Sequence, residues 1–169
     1  MIRLIELSDI QEVKNLSAQA KEKDINPLIE NAQNNEFKSF IGNKLYTKLL
    51  KDLTPYQDLW EGGFYDDDKH YHSGLKRVLI ECAYLYYIYQ SSDTSTPFGI
   101  VNKNFKDGEK IDHEREKALH TRQRQVIDNY WQEVKDYIFF DENLKELFKG
   151  TDRLNRTFTA RTIKRNQCL

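Results

Sequence analysis

Between Ser73 and Gln90 the chain reads SGLKRVLIECAYLYYIYQ, its longest run without a turn former once the opening Ser-Gly is passed. Leu75, Val78, Leu79, Cys82, Leu85, Tyr86 and Tyr89 recur at the i, i+3, i+4, i+7 spacing that lines one face of an α-helix. Ile80, Tyr84, Tyr87 and Ile88 fall on the opposite side beside Lys76, Arg77 and Glu81, so the C-terminal half is apolar nearly all round. A helix of this kind is surrounded on most sides, either by its own fold or by another subunit. The spacing assigns Leu75, Val78, Leu79 and Cys82 to the core, facing the segment from Tyr130 to Ile138. Tyr84, Tyr87 and Ile88 are the surplus that a lone monomer explains least well.

The rest of the chain reads as short helices around this one. Residues Ile2 to Leu7 alternate weakly, as a short strand or an extended arm, and Ser8 is placed to cap a helix through Leu16. Asp24 or Asn26 can cap the next helix, with Pro27 in its first turn, where a missing N–H costs nothing. That helix should end near Gly42 and restart at Asn43, carrying Leu45, Tyr46, Leu49, Leu50 and Leu53 as far as Thr54-Pro55. Pro55 opens the short PYQDLW helix, closed by Gly62-Gly63. Aromatic Phe64-Tyr65, turn-prone Asp66-Asp67-Asp68-Lys69 and then His70-Tyr71-His72 predict a β-hairpin. A two-stranded hairpin is marginal alone and has to lean on helices or on a neighbour. Residues 91–110 read as a long aperiodic loop that carries Phe98, Ile100, Val101 and Phe105.

A long helix is predicted from about Asp112 to Phe139. Val126, Ile127, Tyr130, Trp131, Val134, Tyr137 and Ile138 make its second half the packing half. Asp141 caps a final ENLKELFK helix that ends at Gly150. The fold class is therefore mainly α: a small helical bundle with one long C-terminal helix, a short β-hairpin near 64–72 and an extended basic C-terminal tail. The division is a helical domain over 1–148 and a tail over 149–169.

Charge separates these two parts. The 169 residues carry 26 basic and 27 acidic side chains, a net −1. The tail holds Lys149, Arg153, Arg156, Arg161, Lys164 and Arg165 against Asp152 alone, which is +5 and leaves −6 for the first 148 residues. A basic tail on an acidic body serves a contact of its own, and it reads as extended until it meets a partner. At this length a domain buries about 70% of its extended-chain surface, so no metal or disulfide is needed to hold a core. Cys82 and Cys168 give no disulfide framework and fit a reducing compartment. The opening MIRLIELSDI has no signal-peptide pattern, and there is no apolar run of about 18 residues. The expectation is a soluble, intracellular protein with no membrane partner.

Catalytic motifs are absent from the sequence. Asp66, Asp67, Asp68, His70 and His72 are metal-ligand types, but their spacing fits neither a helical H-x-x-x-H pair nor a calcium loop, and a solvated hairpin turn is the better account. His113 and His120 read as surface histidines on a polar helix. Ser91, Ser92 and Ser95 have no histidine nearby in the sequence. Cys82, inside an apolar helix, should have a raised pKa, and Glu61 and Glu81 look ordinary. The glycines form no phosphate-binding loop. No catalytic, cofactor or metal residue is assigned.

The segments NPLIENAQNNEFKSFIGNKLYTKLL, DLWEGGFYDDDKHYHSGLKRVLIECAYLYYIYQ, TPFGIVNKN and a long helix ending NYWQEVKDYI follow one another in an order that resembles the head-to-tail connector (adaptor, or head-completion) proteins of tailed bacteriophages, of the crAss-like type. The resemblance covers roughly residues 24 to 139. It implies a homo-oligomeric ring, commonly a dodecamer, in the virion neck under the portal protein and beside other neck or tail ring proteins. Such a subunit is made in the host cytoplasm, and DNA passes through its channel without sequence-specific binding. The acidic body suits that channel, since phosphate is repelled. Subunit contacts are expected at Phe64, Tyr65, Tyr84, Tyr87, Pro97, Phe98 and Ile100. Docking on portal or the next ring is expected from Arg153, Arg156, Phe158, Arg161, Lys164 and Arg165. The other reading of the tail is a nucleic-acid-binding accessory protein, with those cations on phosphates and Phe158 stacking on a base.

Overall fold

The computed structural model describes residues 2–16, 20–96, 99–102 and 113–148. Seven α-helices and two small antiparallel hairpins occupy these residues: α1 (Leu7–Val13), α2 (Glu22–Asn31), α3 (Lys38–Lys51), α4 (Gln57–Glu61), β1 (Gly63–Tyr65), β2 (His70–His72), α5 (Gly74–Ser92), β3 (Asp93–Thr96), β4 (Gly99–Asn102), α6 (His113–Phe140) and α7 (Glu142–Phe148). A π-helical turn, Ala32–Phe37, joins α2 to α3, and a 3-10 turn, Thr54–Tyr56, precedes α4.

Helix α5 is the centre, packed by α1, α2, α4, α6 and the π-helical turn. Leu75, Val78, Leu79, Cys82 and Leu85 are buried as their spacing predicts, against Ile127, Trp131, Val134 and Ile138 of α6. The opposite side is covered too: Ile80 and Glu81 are also buried, so the first half of α5 is enclosed by its own chain. Tyr84, Tyr86, Tyr87 and Ile88 are only half-buried, and Tyr89 is exposed.

Several boundaries depart from the sequence reading. Helix α1 starts at Leu7, with the Glu6 backbone N–H donating to Asp9 Oδ2 at 2.7 Å, and stops at Val13, not Leu16; Ser8 lies inside its first turn and is not the cap. The residues before it form an extended arm with no strand partner. Ile5 is buried, and buried Gln33 fastens the arm by accepting from the Leu4 N–H (2.9 Å) and donating to the Ile2 carbonyl (3.0 Å). Helix α2 begins at Glu22, ahead of both Asp24 and Asn26, so Pro27 stands inside it. Burying Ile25 on the same stripe as Leu28 and Ile29 draws that earlier turn into the helix. Gly42 breaks α3 as expected, with φ 77 and ψ 159. The stretch read as an aperiodic loop contains β3 and β4, paired from Asp93↔Asn102 to Thr96↔Gly99. Thr94, Thr96, Ile100 and Val101 supply the β-prone residues that favour pairing over loop.

Helix α6 matches its predicted limits to within a residue. Asp141 caps α7 as predicted, its Oδ1 accepting from the Asn143 and Leu144 N–H groups at 2.8 and 3.0 Å. Leu144 and Phe148 seat α7 in the core. No helix among the described residues is long and apolar enough to cross a membrane.

Candidate interaction site at the aromatic hairpin

The hairpin forms where two glycine backbones touch. Gly62 (φ 87) ends α4 and Gly74 (φ 75) opens α5, both in the left-handed region that glycine enters without penalty. A Cβ on Gly62 would lie 2.5 Å from the His72 carbonyl oxygen and 2.7 Å from the Gly74 nitrogen. One on Gly74 would lie 2.4 Å from the Trp60 carbonyl oxygen. The chain therefore leaves the α4–α5 junction and returns to it at one point, with the residues between forming a hairpin. Asp66, Asp67 and Asp68 make the turn, all with φ between 53 and 60, a conformation that Asp tolerates better than most residues.

Strand pairing divides the hairpin into two faces. Tyr65 pairs with His70 and Gly63 with His72, so these side chains share one face. That face is docked on the C-terminal end of α6: the Tyr65 ring is 5.2 Å from both Tyr137 and Phe140, and His72 stacks on Tyr137 at 4.0 Å with a 10° tilt. At the stem, Ser73 Oγ donates to Glu133 Oε2 of α6 at 2.6 Å. His72 is 1% exposed, so the reading of 66–72 as a wholly solvated turn fails at this end. Burial holds its imidazole below the ordinary value, and Glu133 and Asp58 pull it part of the way back. Burial raises the Tyr65 hydroxyl, helped by Asp136 and Asp66, and raises Tyr137, helped by Asp58 and Asp141. The carboxylates that act on these groups come from α4 (Asp58), the hairpin turn (Asp66), α6 (Glu133 and Asp136) and the residue before α7 (Asp141).

The other face holds Phe64 and Tyr71, cross-strand neighbours with rings 5.1 Å apart at 61°. They are 66% and 54% exposed, and Phe139 and Phe140 are also exposed at this end of the molecule. Large aromatics held to solvent on an anchored ribbon make this face the candidate interaction surface.

The remaining expected contact residues are placed as follows. Phe64 is on the outer face and Tyr65 on the docked one. Tyr84 and Tyr87 stack on α5 with centroids 6.0 Å apart, Tyr84 lying under Lys14 Nζ at 4.9 Å. Ile100 lies on β4. Pro97, Phe98, Arg153, Arg156, Phe158, Arg161, Lys164 and Arg165 lie outside the described residues. Of those whose side chains are described, Phe64 alone lies on the outer hairpin face, whereas Tyr71 belongs to that face and its alternation with His70 and His72 was the signal that could have found it.

Glu81 is anything but ordinary. Its carboxylate is fully buried, with Oε2 2.8 Å from Lys14 Nζ of the segment after α1 and accepting from Gln123 Nε2 of α6 at 2.7 Å. Arg77 Nη2 lies 3.0 Å from Oε1 and donates to the Tyr130 hydroxyl at 3.2 Å. Glu81 thus ties α1 and α6 to α5. The Arg77 contact is one of charge, since Glu81 Oε1 and Arg77 Nε have no hydrogen-bond partner among the described residues. Desolvation pushes the Cys82 thiol well up, as its setting predicted, and leaves it a packing residue. No three His, Cys, Asp or Glu side chains among the described residues converge as metal ligands.

A protein-family model described as "Family of unknown function (DUF6712)" matches residues 37–153, more than half of the chain. The chain belongs to the DUF6712 family. The DUF6712 match takes in the whole hairpin, both stem glycines, Arg77, Glu81 and Gln123, and leaves out Lys14 and Gln33. No curated protein and no solved structure matches the chain.

Proposed function

We propose that this DUF6712 protein is a non-enzymatic structural subunit of a ring that joins a phage capsid to its tail, sitting in the virion neck beneath the portal. The observation that carries the reading is the outer hairpin face. Phe64 and Tyr71 are held to solvent on a ribbon whose other face is fixed to α6. A ring needs two different patches on each subunit, because its contacts run head to tail. The hairpin is one, and the half-buried Tyr84 and Tyr87 are a candidate for the other. The order of segments, which resembles that of head-to-tail connectors, supports the same reading, as does the acidic body, over which DNA would slide without sticking. The basic tail supplies a further contact, to portal or to the next ring.

Native mass spectrometry and electron microscopy of the purified protein, alone and with a portal protein, test this. Rings of defined copy number are expected. Strictly monomeric behaviour with no portal association overturns the reading. DNA binding that weakens steeply with salt and is lost when the tail is removed would instead favour an accessory nucleic-acid-binding role.

A further inference from the structure

At Glu81 one carboxylate oxygen touches two different nitrogens. Lys14 Nζ lies 2.8 Å from Oε2, and Gln123 Nε2 donates to the same oxygen at 2.7 Å. The first is an amine, and the second is the nitrogen that a side-chain amide releases when its acyl group moves to an amine. Nucleophile and leaving group are thus no farther apart than two hydrogen-bond lengths, with a proton carrier between them. The amide is held at a second point as well, since Gln123 Nε2 also donates to the Glu81 backbone carbonyl at 3.1 Å. On the other side Arg77 Nη2 stands 3.0 Å from Oε1 and fixes the carboxylate. Glu81 is fully buried, Gln123 is 7% exposed and the Lys14 side chain 19%, with its Nζ over the Tyr84 ring at 4.9 Å. Little water can therefore compete with the amine for the acyl carbon. A base within hydrogen-bond reach of a nucleophile, and itself held by a third group, is the arrangement that activates side-chain nucleophiles. Holding both reactants in one fold removes most of the entropic barrier to their meeting.

We propose that Lys14 and Gln123 join in an intramolecular isopeptide bond, with Glu81 carrying the protons. A proton first passes from the Lys14 ammonium to Oε2, leaving an amine and a carboxylic acid; taking charges out of water is costly, so burial eases this step. The Nζ lone pair attacks Gln123 Cδ. Glu81 gives its proton to Nε2 and takes one from Nζ, the Cδ–Nε2 bond breaks, and the carbonyl re-forms. Ammonia departs with the proton that Glu81 then holds, as ammonium, and the carboxylate is restored. Charge balances, nothing is oxidised or reduced, and no co-reactant is needed. The product ties the segment after α1 to α6 across α5, whether or not the chain forms rings.

Intact mass spectrometry of the full-length protein, denatured after prolonged incubation at neutral pH, tests this. The expected mass is lower than that of the sequence by one ammonia, and digestion should yield a branched peptide joining Lys14 to Gln123. Lys14→Arg keeps the cation beside Glu81 but has no such amine, so it should show the full sequence mass. Glu81→Gln, compared as a folded chain, should form the link at least ~100-fold more slowly. Three results overturn the bond: the full mass in the native chain, an ammonia loss that maps to other residues, or the same loss in Lys14→Arg. Undiminished linkage in Glu81→Gln overturns the carboxylate's part in it.

Discussion

Two regions of this molecule place side chains against expectation, in opposite directions. At Glu81 a charge is inside, and at Phe64 and Tyr71 large aromatics are outside. The buried carboxylate is surrounded by Arg77 of its own helix and by Lys14 and Gln123 from two other places in the chain, so its anomaly is answered within the fold. A buried pair of this kind is weak evidence for stability on its own, but removing one member leaves the others stranded. The exposed rings answer only each other, and nothing described covers them. The contrast separates the two regions: at Glu81 the broken rule is compensated inside the fold, and at Phe64 and Tyr71 no described residue compensates it.

Four experiments can break or sharpen that contrast. Glu81→Ala should be the most damaging, with a loss of about 3–5 kcal/mol in urea unfolding as Lys14 and Arg77 lose their counter-charge; a cost below about 1 kcal/mol would remove the hub from the architecture. Gly74→Ala should follow at about 2–3 kcal/mol, since its φ of 75 and the Trp60 carbonyl oxygen both oppose a Cβ. Gly63→Ala is its control, because a Cβ there meets nothing within 4 Å. His72 should make stability depend on pH. Its folded value lies below the ordinary 6.5, so the unfolded chain binds the proton more readily, and stability falls as pH drops below about 6.5, at no more than ~1.4 kcal/mol per pH unit. In His72→Phe this slope should flatten, as followed by thermal melts across pH. Phe64→Ser/Tyr71→Ser should change unfolding stability least, within about 0.5 kcal/mol per site. Its expected loss of ring formation, seen by native mass spectrometry, is what would distinguish an interaction surface from ordinary packing.

What the sequence made legible was local. The Asp-rich turn between aromatic strands, the stripe on α6, the Asp141 cap and the break at Gly42 each follow from residues within a few positions of one another. Glu81 was misread because its partners stand 67 positions before it and 42 after it, and nothing in SGLKRVLIECAYLYYIYQ marks that turn of the helix as enclosed. Gln33 escaped for the same reason. Its amide reaches Leu4 and Ile2 across some thirty residues, from a π-helical turn that no periodicity announces. At the candidate site, Phe64 and Tyr65 were visible as aromatic hairpin residues. That they point to opposite fates, one to solvent and one onto Tyr137, depends on where α6 passes, which is a property of the packed bundle.

The contact between Gly62 and Gly74 has a consequence for how the hairpin can be inherited or exchanged. Because the two backbones already meet, everything from Gly63 to Ser73 is a detour between points in van der Waals contact. The bundle's α4–α5 junction does not need those residues to close its gap. The ribbon is therefore a cassette: its length, tip charge and outward aromatics can be rewritten while the stem stays fixed and the helices beneath it keep their places.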